Sequence, residues 1–130
     1  MKEFTTQANN ASIKINIASF QEAMALKNAI QKAFIESGVK IKAEDNLEDI
    51  LYLIMSLDSN EQVNKEIFNC LKRCLYNNQK IIADIFEDEK VREDYYEIVY
   101  ACLEVNLKPF IKALFSKLKD LQNLLPKTQG

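Results

Sequence analysis

The chain has 130 residues, of which 48% are hydrophobic, and its formal net charge is −2. This is the length of one ordinary domain, and a second independent domain would not fit. Two glycines and two prolines supply few tight turns, which disfavours an all-β fold, and the slightly acidic balance offers no general attraction for nucleic acid or an anionic membrane.

The N-terminal residues predict a polar tail followed by one short strand. Residues 1–11 contain no continuous apolar segment of the kind that a signal peptide or a membrane-spanning helix needs. From Ser12 to Ile17, apolar and polar residues alternate with the period of a half-buried strand. Such a strand needs a partner, and two candidates stay open: the stretch Val39–Ile41, which alternates in the same way, and an edge of another subunit.

The next two segments have the pattern of amphipathic helices with local start and stop signals. Ser19 and Glu22 have the spacing of a capping box, and Gly38 supplies a stop. A second helix is predicted to begin after Asp45 or Asn46. Its apolar residues recur at helical intervals and predict one buried face, made of Leu47, Ile50, Leu51, Ile54 and Leu57.

A third helix is predicted after a cap at Asp58 or Ser59, and it is expected to end at residues 76–78. Its buried stripe is predicted to consist of Val63, Ile67, Leu71, Cys74 and Leu75. Residues 80–86 are a short apolar run without a decisive period. Both a strand and the start of a helix therefore stay open for this run.

Two further helices are predicted, with a break between them. The fourth begins at about Asp88, and Asn106 with Pro109 indicates where it ends and a fifth helix starts. In the fifth helix, apolar residues recur with heptad spacing at Ile111, Leu114, Leu118, Leu121 and Leu125. Two interpretations of this face stay open: it packs on the domain's own core, or it binds a partner or another copy of the chain.

These elements predict a mainly α fold, with about five helices in a compact bundle-like domain and a short N-terminal strand or small β element. The domain is expected to span residues 12–125, between a polar N-terminal tail at 1–11 and a C-terminal tail at 126–130. Three cysteines, an odd number, fit a reducing compartment better than a disulfide framework. A soluble cytosolic chain is therefore expected.

Charged residues are segregated along the sequence. Acidic residues concentrate at 44–49 and 84–94, whereas lysines surround the apolar residues of the last helix, at Lys108, Lys112, Lys117 and Lys119. Acidic runs usually complement the dipole at the start of a helix. Docking between complementary surfaces is the alternative that the sequence leaves open.

No pattern in the sequence indicates catalysis. The chain has no histidine, the side chain that most often transfers protons near neutral pH, and no glycine-rich phosphate loop, nucleophile elbow or HExxH motif. Cys70 and Cys74 are four residues apart, but two thiolates are too few for a structural zinc site, so these cysteines and Cys102 are interpreted as buried small apolar residues. The chain is predicted not to be an enzyme and to hold no cofactor or metal.

Three tyrosines lie close together on the predicted fourth helix. Tyr95 falls with the core stripe, whereas Tyr96 and Tyr100 share another side. Partial burial with the hydroxyls at the rim is one interpretation, and an aromatic face that binds a protein is the other. The candidate partner-binding residues are therefore Phe110, Ile111, Leu114, Leu118, Leu121, Tyr96 and Tyr100.

Two segments resemble the small tail assembly chaperones encoded by long-tailed bacteriophages. In residues 13–30, IKINIASFQEAMALKNAI, a short strand runs into a helix as at the start of that family's proteins. The stretch from Lys80 through Phe86 and Tyr95 to Phe110 is similar to the family's second half.

The resemblance implies a protein that binds the tape measure protein and keeps it soluble while the tail tube assembles around it. It further implies the tail tube protein as a second candidate partner, self-association, and a location in the host bacterial cytoplasm and not in the mature virion. No cofactor, nucleic acid or membrane is expected to take part.

Two other functions stay open on the residues alone. A helical DNA-binding regulator would need exposed basic and amide side chains on one helix, and the nearest candidates are Asn69, Lys72, Arg73, Asn77 and Asn78. The overall acidity disfavours it. A structural tail adaptor that is retained in the virion is the other.

Overall fold

The computed structural model describes residues 3–38, 40–42, 44–57 and 59–124, and within these ranges it describes side chains from residue 4 to residue 113. The described residues form five α-helices: α1 Phe20–Ser37, α2 Leu47–Met55, α3 Glu61–Leu71, α4 Glu89–Glu93 and α5 Tyr95–Leu124. They also form four strands: β1 Glu3–Gln7, β2 Ser12–Asn16, β3 Leu75–Tyr76 and β4 Gln79–Lys80. The prediction of a mainly α fold with a small β element is confirmed.

The strands form one antiparallel sheet in the order β1-β2-β3-β4. The predicted strand at 12–17 is confirmed as β2, but the prediction for its partner is wrong. β1 pairs with β2 along its whole length and β3 pairs with its other edge, while Lys40 and Ile41 lie in no strand and Val39 is outside the described residues. Residues assigned to the polar tail therefore supply the first strand, although the proposed limits of the domain stay a prediction.

The caps of α1 and α2 follow the local sequence signals. The Ser19 side chain accepts from the Glu22 backbone N–H, and the Glu22 carboxylate accepts from the Ser19 N–H in return. Gly38 ends α1 at φ 75, a left-handed conformation that glycine adopts without strain. Asn46 and Asp49 make the same reciprocal pair at the start of α2. Both predicted starts and the predicted stop are confirmed.

The predicted bounds of α3 are wrong at both ends. Asn60 caps the helix, in place of Ser59 or of Asp58, which is outside the described residues. The helix ends at Leu71, so Cys74 and Leu75 lie beyond it. The tract expected to end a helix is instead the turn of the β3–β4 hairpin, where Asn77 and Asn78 have φ values of 48 and 68. Asparagine tolerates this left-handed conformation, which a type I′ hairpin turn requires at both central positions.

The last two helices divide at Asp94, and not at Asn106 and Pro109 as predicted. Residues 80–86, for which the sequence allows either a strand or the start of a helix, continue from β4 into a 3₁₀ helix at Ala83–Glu87. Asp88 then caps the short helix α4, and α5 runs without interruption through Pro109. Proline removes one helical hydrogen bond, but α5 packs against α2 and α3, and this tertiary packing offsets the local cost.

One hydrophobic core joins the sheet to the helices. It includes Ile13 and Ile15 of β2, Leu26 of α1 and Leu51 of α2, each at most 1% exposed. Helix α5 contributes three of its largest fully buried side chains, Ile98, Leu103 and Leu107, as many as α2 does. Because α5 is central to the core, surfaces along it are held in fixed positions relative to α1, α2 and β1.

The Asn106 side chain fixes α5 to the segment that leads into α1. Its Oδ1 accepts a hydrogen bond of 2.8 Å from the Ala18 backbone N–H, and its Nδ2 donates to the Cys102 carbonyl at 2.9 Å. Asn106 is 3% exposed, so both bonds are shielded from water. Asn106, which the sequence predicts to mark a break between two helices, therefore joins α5 to the start of α1.

An ion pair links the start of α1 to the loop after α3 and makes stability depend on pH. The Arg73 Nε lies 2.6 Å from the Glu22 Oε1, and this hydrogen bond lowers the pKa of the Glu22 carboxyl, although partial burial opposes the shift. A carboxyl with a lowered pKa stabilises the native state above its unfolded pKa of about 4.3, and this stabilisation is lost as pH falls. We expect Glu22→Gln, which keeps the shape of the cap, to lower the free energy of unfolding by up to about 1 kcal/mol at pH 7.

Urea denaturation at pH 7 and at pH 3 measures this effect. The difference between Glu22→Gln and the native chain should shrink at the lower pH. Glu87→Gln is the matched control, because the Glu87–Arg92 pair is longer at 3.1 Å and its side chains are more exposed, at 71% and 63%. An equal loss of stability for Glu22→Gln at both pH values would contradict the charge-based explanation.

Candidate functional site

Two surfaces along α5 are candidate binding sites. The first, here called the tyrosine groove, is an open groove of about 580 Å³ between β1, α2 and the N-terminal half of α5. Its apolar and aromatic lining residues include Phe4, Tyr52, Met55, Tyr96, Tyr100 and Val105. Two of the predicted partner-binding residues, Tyr96 and Tyr100, are thus brought together with residues of β1 and α2.

The tyrosines of the groove are only partly covered by the domain. Tyr52 and Tyr96 are 56% and 53% exposed, and the rings of Tyr52 and Tyr100 are 5.7 Å apart. Tyr95 differs from them, because it packs against the core and its ring lies 5.4 Å from that of Phe86. Exposed tyrosines beside an apolar floor are typical of surfaces that bind proteins.

The groove has an acidic character. Glu97 and Glu104 line it, and none of the described residues that line it is basic. Burial raises the pKa of Tyr100, and the nearby carboxylates of Glu104 and Glu48 raise it further. The Tyr100 hydroxyl therefore stays protonated at neutral pH and can donate a hydrogen bond. A partner with a positively charged rim would match this surface.

The second surface, here called the apolar pocket, lies between α1, α2 and α5. It has a volume of about 50 Å³ and is lined mainly by apolar side chains, among them Ile30, Phe34, Ile41, Ile54, Phe110 and Ile111. The sequence-predicted residues Phe110 and Ile111 thus lie together here. The Phe110 ring is also 6.0 Å from that of Phe20, a side chain that is 69% exposed.

Three predicted partner-binding residues have side chains outside the described residues, namely Leu114, Leu118 and Leu121. The backbone is helical through these positions to Leu124. Their role in partner contact stays a prediction.

The sequence does not predict Phe4, Tyr52 or Ile41 as binding residues. Helix α2 carries more apolar residues than one buried face needs, and this excess is a signal that could have indicated Tyr52.

The cysteines are part of the core. Cys70, Cys74 and Cys102 are free thiols at 0% exposure, which confirms the interpretation that they are buried, although Cys74 lies beyond the end of α3. Burial raises the pKa of Cys70 to about 12, so its thiol stays protonated and unreactive. Within the described ranges, no group of three or more potential ligand side chains is placed to hold a metal ion.

The residues proposed for DNA contact do not share one helix. Asn69 lies on α3, whereas Lys72 and Arg73 follow its end, and Arg73 pairs with Glu22. Asn77 and Asn78 form the hairpin turn. Among the described residues, no helix is both long enough and apolar enough to cross a membrane.

The chain was compared with protein families, curated proteins and solved structures. A family model described as "Phage tail assembly chaperone protein, TAC" matches residues 12–119, from β2 to near the end of α5. No curated protein and no solved structure matches the chain. The family match covers most of the sequence and both segments of the resemblance, so the chain belongs to the phage tail assembly chaperone family.

Proposed function

We propose that this chaperone binds the tape measure protein and keeps it soluble until the tail tube assembles around it. The apolar pocket is the observation that best supports the proposal. A tape measure protein presents long apolar helical stripes, which aggregate in water unless another surface covers them. A pocket lined by aliphatic and aromatic side chains can receive one apolar side chain of such a helix.

The surroundings of the pocket extend the contact beyond one side chain. Phe20 is exposed beside Phe110, and Lys27 and Gln31 also line the pocket. A client helix that places an apolar residue in the pocket would cover Phe20 with its next turn. Its polar residues would then face Lys27 and Gln31. This is the arrangement of an amphipathic helix in a groove, with an apolar centre and a polar rim.

The proposed mode of action is reversible binding without catalysis, cofactor or metal. The chain would act in the host bacterial cytoplasm, self-associate along the client, and leave before the virion is complete. The tail tube protein is the second candidate partner, because the tube must replace the chaperone on the tape measure protein. Neither nucleic acid nor a membrane takes part.

Co-expression with the cognate tape measure protein tests the proposal. We expect the soluble fraction of the client to rise several-fold when the chaperone is present, and we expect the two proteins to co-purify. The client expressed alone should aggregate through its unshielded stripes. Quantitative immunoblots of soluble and pelleted fractions give the measurement. An unchanged soluble fraction together with no co-purification would contradict the proposal.

Mass spectrometry of purified particles separates the chaperone from a structural tail adaptor. A chaperone should be absent from them, whereas an adaptor should be present in stoichiometric amounts.

A gel shift on random duplex DNA at low salt tests the alternative of a DNA-binding regulator, since a phosphate-binding surface shows some affinity under those conditions.

A further inference from the structure

We infer that two copies of the chain pair through antiparallel α5 helices, with the C-terminal half of each helix in the tyrosine groove of the other copy. The inference rests on the self-association included in the proposed function and assigns it a surface and a geometry. The occupant of the groove is therefore a second copy.

The first argument is charge complementarity with matched spacing. On the groove side, Glu97 and Glu104 are seven residues apart on α5. On the C-terminal half of the same helix, Lys112 and Lys119 are also seven residues apart, with Phe115 and Leu118 between them in the sequence. Each interval is close to two helical turns, or about 10.5 Å along the axis. The acidic pair and the basic pair therefore repeat at the same distance.

The second argument is that one chain cannot satisfy its own groove. The N-terminal half of α5 forms one wall of the groove, and the lysines follow on the C-terminal half of the same helix. The helical backbone is continuous from Tyr95 to Leu124, so the second half cannot turn back onto the first. A basic amphipathic helix in the groove must then come from another molecule, and a second copy carries one.

The third argument is the register. When two α5 helices run antiparallel and Glu104 lies opposite Lys112 of the second copy, Glu97 lies opposite Lys119 of that copy. The same alignment forms both pairs again in the other direction, so the contact is two-fold symmetric and closes as a dimer. Lys108 lies nearest the symmetry axis and is four residues after Glu104, which partly neutralises it.

The apolar surface supplies the affinity, and the charges select the register. Exposed ion pairs contribute little individually, but like charges placed opposite one another disfavour a complex. The half-exposed rings of Tyr52 and Tyr96 would be covered by the partner helix. Charge reversal on one side should therefore weaken pairing, and complementary reversal should restore it.

Sedimentation velocity of the purified full-length chain tests this with three variants. The native chain is expected to be a dimer. Glu97→Lys with Glu104→Lys, and separately Lys112→Glu with Lys119→Glu, should each weaken the dimer by about tenfold or more. An equimolar mixture of these two variants should form a heterodimer, because every pair is again of opposite charge. The variant with all four substitutions should dimerise like the native chain.

Two controls carry equal changes of net charge on exposed residues outside the groove: Glu36→Lys with Glu44→Lys, and Lys32→Glu with Lys65→Glu. Both should dimerise like the native chain. The inference is overturned if the native chain is a monomer, if the two interface variants dimerise normally, or if the fourfold variant is folded but monomeric. Because the client is absent from this experiment, a failure here leaves the proposed tape measure binding standing.

Discussion

The double substitution Phe110→Lys with Ile41→Lys is expected to leave the co-expressed tape measure protein as insoluble as it is without the chaperone. Both side chains line the apolar pocket, which already has Lys27 at its edge. Two added ammonium groups would have to be desolvated by an entering apolar side chain, or would exclude it. Losing the burial of one large apolar side chain costs about 1.5–3 kcal/mol, or roughly a ten- to hundredfold loss of affinity.

The matched control places the same two lysines on apolar residues away from the pocket. Ile35 and Ile82 are 82% and 50% exposed and do not line it. Ile35→Lys with Ile82→Lys should keep the client soluble. Thermal unfolding of both variants separates loss of binding from loss of folding, and the milder Phe110→Leu gives an intermediate case. If the Phe110→Lys and Ile41→Lys variant is folded and still keeps the client as soluble as the native chaperone does, the apolar pocket is not the binding site.

Asp94→Ala is expected to give the largest loss of stability among single substitutions of polar residues. The carboxylate is 0% exposed, and the Tyr76 hydroxyl donates to its Oδ2 at 2.7 Å. The Asn10 backbone N–H also donates to Oδ2, and the Asn10 Nδ2 donates to Oδ1. Alanine would leave these donors without partners, at a cost of about 3 kcal/mol in the free energy of unfolding. For a domain of this size, the melting temperature should fall by about 10 °C.

Urea denaturation and thermal melts measure this loss. Asp84→Ala removes an exposed carboxylate and should change the stability by less than about 0.5 kcal/mol. Tyr76→Phe should lie between the two, because Asn10 still satisfies the carboxylate. A change below about 1 kcal/mol for Asp94→Ala would show that water replaces the lost acceptor.

The same contact makes stability fall in alkali. Burial raises the pKa of Tyr76, and its hydrogen bond to Asp94 raises it further. A tyrosine with a raised pKa contributes stability that is complete below its unfolded pKa of about 10 and is lost as pH rises above it. Denaturation of the native chain and of Tyr76→Phe across this range should show a steeper loss for the native chain.

The features that sequence predicts well are those encoded by neighbouring residues. The caps at Ser19 and Asn46 and the stop at Gly38 depend on side chains within one helical turn, so their spacing was sufficient. The alternation of β2 was equally local. The break at Asp94 was missed because its partners, Asn10 and Tyr76, are 84 and 18 residues away in the sequence.

The candidate site divides in the same way. Tyr96 and Tyr100 were found because they share one side of the predicted fourth helix, and Phe110 and Ile111 because they belong to the apolar stripe of the predicted fifth helix. The opposite walls of the two surfaces come from β1, α2 and the loop at Ile41. Strand β1 has few apolar residues and gave no periodic signal, so only its pairing with β2 reveals it. Tertiary contacts of this kind cannot be predicted from the spacing of residues within a single segment.

The proline within α5 has a mechanical consequence. Pro109 has no backbone N–H, so the Val105 carbonyl lacks its usual helical donor, and a bend costs least free energy at this point. Leu103 and Leu107, which anchor the helix in the core, lie before it. Phe110 and Ile111 lie just after it and line the apolar pocket with residues of α1 and α2. A bend at Pro109 would therefore shift these two side chains relative to α1 and α2 and change the width of the pocket.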